Sequence, residues 1–175
     1  MKENTKEYLL SLLQRQTPFL VSLFFIFLEH IAINFGTAAI RPMFGLACVF
    51  FWLFNRPDIF GLFSAALLGI CCDFLNSSPF GSCLFAFLLL YVLENKISKY
   101  ISNKLFIVNF SSFAVLSLIV ISAQWLVICI YYKEILPFLV IFITWMVTVC
   151  LYPTIAYINL KIARKILPEE DFLDG

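Results

Sequence analysis

Residues 55–81 read NRPDIFGLFSAALLGICCDFLNSSPFG, and the fold turns on this stretch. It has the form of a membrane helix with a polar clamp at each end, Arg56-Pro57-Asp58 at its start and Asp73 near its close. Asn76-Ser77-Ser78-Pro79-Phe80-Gly81 then turns the chain into the next apolar run. Gly61, Ala65, Gly69 and Asp73 recur at every fourth position, which lays them along one helix face. Small residues so spaced let a second helix backbone come close in lipid. A carboxylate near hydrocarbon is costly, so Asp73 is expected to face protein or water and to hold a partner.

The rest of the composition agrees. The chain is 62% hydrophobic and 13% charged, whereas soluble globular proteins are about a quarter charged. That balance excludes a water-soluble monomer and points to an integral membrane protein. Its 175 residues suit one domain. A net charge of +1 offers no bulk attraction for nucleic acid. The six cysteines lie in apolar runs, and none forms a C-x-x-C pair; they read as small core residues. The polar N-terminus and the long first apolar run read as a retained span, not a cleaved signal peptide.

In order along the chain, residues 1–16 form a short amphipathic segment suited to the membrane interface. Six spans are expected at 18–35, 36–54, 57–75, 79–93, 105–131 and 135–160. The second is interrupted at Arg41-Pro42. Ser78 is placed as N-cap of the fourth, with Pro79 as its first helical residue. Residues 94–104 (ENKISKYISNK) suit a surface helix with basic residues outward. A kink is expected at Pro153, and a cytoplasmic tail follows from residue 161. The fold class is therefore an all-α integral membrane bundle of six transmembrane helices with short interfacial amphipathic helices. This arrangement puts ten of the twelve basic residues on the side of both termini. The positive-inside rule then makes that side cytoplasmic.

Asp58 lies at the start of the third span, where the helix dipole favours an anion beside Arg56. Asp73 lies in the last turn, where the dipole disfavours it, so a basic partner, water or turn hydrogen bonds must hold it. Arg41, Glu29 and His30 share its half of the membrane, which makes Arg41–Asp73 or Arg41–Glu29 a candidate buried pair. Catalysis finds little support. There is one histidine, and no G-x-S-x-G, S-x-x-K, H-E-x-x-H or P-loop pattern. Asp58 and Asp73 are separated by about 22 Å of helix and cannot act together. No catalytic, cofactor or metal residue is assigned, and the protein is expected not to be an enzyme.

Residues 55–81 resemble the bacterial rod shape-determining MreD family. The resemblance rests on Arg56-Pro57-Asp58, Gly61, Gly69, Asp73 and Pro79-x-Gly81. It implies a non-enzymatic subunit of the cell-elongation machinery in the bacterial cytoplasmic (inner) membrane. Its partners would be membrane lipids, MreC and, through it, MreB filaments, the RodA glycosyltransferase and a class B penicillin-binding transpeptidase. The family's membrane domain is similar to the S component of energy-coupling-factor vitamin transporters. That similarity implies an S-component-like bundle and leaves a small-molecule-binding transporter subunit as the alternative. On the scaffold reading, partner-docking falls to Arg56, Pro57, Asp58, Gly61, Ala65, Gly69, Asp73, Pro79 and Gly81, together with exposed aromatic faces. On the transporter reading, Glu29, His30, Asn34, Arg41 and Asp73 would supply the polar groups.

Overall fold

A computed structural model describes residues 2–30, 42–76, 79–98, 106–135 and 137–166. These form α1 (Lys2–His30), α2 (Phe44–Asn55), α3 (Leu62–Asn76), α4 (Ser82–Ile97), α5 (Phe106–Tyr132) and α6 (Phe138–Ile166), with no strand among the described residues. The helix α5 and residues Phe106–Tyr132 coincide, and this helix and Phe138–Lys165 within α6 are long and apolar enough to cross a membrane by length and composition.

Helix α2 is the axis of the bundle. Every residue from Gly45 to Phe54 is buried, as a helix that is apolar all round requires. It packs on α1, α4, α5 and α6. The other five helices close around it, neighbour to neighbour, in the order α1–α3–α4–α5–α6–α1. Aromatic rings fill the middle: Phe113 stacks on Tyr152 at 4.1 Å, and Phe50 sits 5.2 Å from Phe113. Two polar pairs cross this core. Trp52 Nε1 donates to Asn159 Oδ1 at 3.1 Å, and the Tyr152 hydroxyl donates to Asn109 Oδ1.

Several helices are shorter than expected. With 12 residues, α2 is about 18 Å long, well under a hydrocarbon core of about 30 Å. It starts only after Pro42, so the Arg41-Pro42 interruption ends as a late helix start; Arg41 itself lies outside the described residues. With 15 residues, α3 is about 22 Å long and starts at Leu62, not at Pro57. The reason is local. The amides of Ile59 and Phe60 both bond to the Arg56 carbonyl, each at 3.2 Å, and close a turn before the helix begins. By contrast α1 runs unbroken through Pro18, joining the expected interfacial segment to the first span. Helix α6 likewise continues through Pro153. Helix α4 extends to Ile97, and Glu94, expected at the polar surface, is buried. The rest of the expected 94–104 surface helix and the tail from 167 lie outside the described residues, residue 98 apart.

The short helices leave α6 projecting. The Met43 amide at the head of α2 donates to Thr148 Oγ1 at 3.1 Å, ten residues into a helix that begins at Phe138. At 1.5 Å per residue, α6 passes the head of α2 by about 15 Å.

The small-residue row of α3 is used inside the chain. The buried positions are Ala65, Leu68, Gly69, Cys72 and Asp73, the i, i+3, i+4, i+7 stripe of a helix packed on a neighbour. A Cβ at Gly69 would stand 2.6 Å from Leu84 Cα, a backbone atom of α4. A Cβ at Gly61 would meet nothing within 4 Å. Gly69→Ala is therefore expected to force α3 and α4 apart and to cost about 1–3 kcal/mol, read as a lowered melting temperature in detergent. Gly61→Ala should leave the melt unchanged.

Candidate functional site

The residues singled out in the sequence gather at the two ends of α3. At its C-terminal end, Asp73 is buried. Its Oδ2 accepts from the amides of Gly81 at 2.8 Å and Leu84 at 3.3 Å. Its Oδ1 accepts from the Cys83 amide at 2.8 Å and from the Ser82 hydroxyl at 3.2 Å. A helix start presents unpaired amides and partial positive charge. Asp73 meets both needs for α4 from the end of the preceding helix. Of the holders open to this carboxylate, turn hydrogen bonds are thus in place. The Arg41 partner proposed for it lies outside the described residues.

This arrangement replaces the expected Ser78-Pro79 cap. Ser78 lies outside the described residues. Pro79 sits in a turn, its carbonyl accepting from the Ser82 amide at 3.0 Å, and α4 begins at Ser82. Gly81 holds the N-cap position with φ of 97° and no side-chain cap. Glycine adopts that left-handed conformation without a Cβ penalty, and the amides of Gly81, Cys83 and Leu84 all point toward one carboxylate.

Glu29 does the same for α2. Its Oε2 accepts from the Gly45 amide at 3.1 Å, and its Oε1 accepts from Asn76 Nδ2 at 3.3 Å. Asn76 also reaches Cys72 Sγ at 3.2 Å. One polar layer therefore links the end of α1, the start of α2, the end of α3 and the start of α4. The sequence signalled that Glu29 and Asp73 need partners. Gly45, Asn76 and Ser82 were not singled out, because a cap drawn from a preceding helix leaves no i, i+3 pattern. The side chain of His30, and Asn34 with it, lies outside the described residues.

At the opposite end, Arg56 is buried. Its Nε and Nη2 donate to the two carboxylate oxygens of Asp58 at 3.2 and 3.1 Å. Asp58 stands in the turn ahead of α3, not in its first helical turn. Partial burial pushes its carboxyl pKa up, but the hydrogen bond and charge of Arg56 outweigh this and hold it below the usual value. The pair's contribution is thus present at neutral pH and is lost as pH falls through that depressed value. It is small, because Asp58 is 59% exposed and screened by solvent. Pro57 is exposed beside it.

Residues 11–161 match the family of the rod shape-determining protein MreD. The chain belongs to the MreD family. Every residue carrying the earlier resemblance falls inside the matched range. No curated protein and no solved structure matches the chain. Membership brings a role in rod shape determination and association with a membrane. Gly69, Asp73 and Gly81 act on the α3–α4 joint: close approach, carboxylate cap and left-handed turn.

Asp73→Asn keeps the size of the side chain but turns an NH2 group toward backbone N–H donors. Asp73→Ala removes the acceptors altogether. Hydrogen bonds to charged groups contribute about 1.5–3 kcal/mol each, not additively. Both variants should lower stability by roughly 2–4 kcal/mol, seen as an earlier thermal melt in detergent. An unchanged melt for both would remove the cap from the account.

Proposed function

We propose that this MreD-family chain is a non-enzymatic membrane scaffold of the bacterial cell-elongation machinery that organises lateral peptidoglycan synthesis. It lies multi-pass in the cytoplasmic membrane with both termini cytoplasmic. The observation that carries the reading is the division of labour on α3. Its polar and small face is taken up by the chain's own α3–α4 joint, and its other face is an apolar stripe. Phe63, Leu67 and Phe74 recur at i, i+4 and i+11 and are exposed, with Phe80 beside Phe74 at 5.5 Å. The partner-docking surface is this stripe, next to the small-residue row first considered for that role. Its partners are a transmembrane helix of MreC or of the RodA–transpeptidase pair, with MreB filaments reached through MreC. A vitamin-binding pocket would need free converging polar groups in the same half of the bundle; Glu29 and Asp73 are engaged in capping helices there.

Depletion in the native rod-shaped cell, with fluorescent labelling of new wall, tests the reading. Rounded cells that have lost lateral wall insertion are expected. A photo-crosslinking residue at position 63 or 74 should capture MreC or the synthase pair. Normal shape with vitamin auxotrophy would overturn the scaffold.

A further inference from the structure

The apolar belt around this bundle is uneven in height. On α5 the exposed apolar side chains run from Ile107 to Ile130, about 34 Å of helix, enough for a hydrocarbon core of about 30 Å. On α3 they run only from Leu62 to Phe74, about 18 Å. Phe80, whose ring stands 5.5 Å from that of Phe74, can add no more than that distance. On its neighbour α4 the apolar surface stops at Leu93, because Asn95 and Lys96 beyond it are exposed. From Ser82 to that point is again about 18 Å of helix. The α3–α4 side therefore falls short of an ordinary hydrocarbon core by about 6–12 Å.

The chain has few ways to repair this by itself. Tilting helps a helix that is too long, but it shortens the reach of one that is too short. A long basic side chain at a helix end can stretch toward the headgroups, yet Arg56 ahead of α3 is buried and bound to both carboxylate oxygens of Asp58. At the other end, Asn76 is turned toward Glu29 and Cys72. Two routes remain: the bilayer thins at this side, or protein covers it. Thinning has a cost that grows with every ångström of mismatch. That cost disappears when a helix of ordinary length, about 20 residues, lies over Phe63, Leu67 and Phe74, because the longer helix then meets the lipid in their place.

We propose that the α3–α4 face is a docking surface regulated by membrane thickness: its occupant is a full-length transmembrane helix of a partner, held more tightly as the bilayer thickens. This regulation presupposes the scaffold role proposed above, with α3 and α4 crossing the membrane; the shortfall itself stands on the helix lengths.

The test uses the full chain with benzoylphenylalanine in place of Phe63, a side chain that is 76% exposed. It is co-reconstituted with full-length MreC, or with the RodA–transpeptidase pair, in vesicles of dimyristoleoyl, dioleoyl or dierucoyl phosphatidylcholine, in order of increasing thickness. Photo-crosslinked yield is followed against partner density. The partner density giving half-maximal capture should fall roughly tenfold from the thinnest vesicle to the thickest. The same probe at Val115 on α5, where the belt is tall enough, should give only background capture at every thickness. Equal capture at position 63 in all three vesicles, or tighter capture in the thinnest, would overturn the regulation and leave the docking surface standing. The same trend at position 115 would also overturn it, since the bilayer would then be crowding proteins together without regard to face. No capture at position 63 from either partner at any thickness would overturn the docking surface and the regulation together.

Discussion

Four donors at the head of α4 converge on one buried carboxylate, Asp73. In an apolar setting the first amides of a helix cannot turn to water, and each one left unpaired costs free energy. Bringing the acceptor from the preceding helix solves this and fixes the joint in space. Asp73 can reach the amides only if α3 lies against α4, and Gly69 permits that approach by placing no side chain against Leu84. Gly81 completes the geometry with its left-handed turn. The three residues form one device: altering any of them disturbs the same contact.

Glu29 repeats the solution for α2, the helix around which the other five close. The most buried element and the α3–α4 joint are thus anchored in one layer, tied together by Asn76. Since the acidic groups of this layer serve the architecture, the outer surface is left apolar, notably the aromatic stripe of α3. On the proposed scaffold role, that is the surface that would meet partner helices by close packing.

Much of this was legible in residues 55–81. The cost of a carboxylate near lipid required a partner for Asp73, and the four-residue spacing foretold a close helix contact at Gly69. The identity of the partners was less accessible. Local capping rules look within three or four residues, which favoured Ser78, whereas Asp73 reaches across eight to eleven positions. Hydropathy likewise overran the helix starts. Pro57 and Asp58 belong to a turn closed on the Arg56 carbonyl, a backbone event that apolar content cannot report. The same blindness missed Asn159 receiving Trp52, since a lone asparagine in an apolar run carries no mark of the distant donor it serves.

The claim that Asp73 holds the start of α4 is tested most directly by hydrogen–deuterium exchange at the amides of Gly81, Cys83 and Leu84. In the wild type these amides should exchange slowly, like those inside the helix. In Asp73→Asn they should exchange faster by an order of magnitude or more, while the middle of α4 stays protected. Fast exchange in the wild type, or equal protection in the two proteins, would contradict the account.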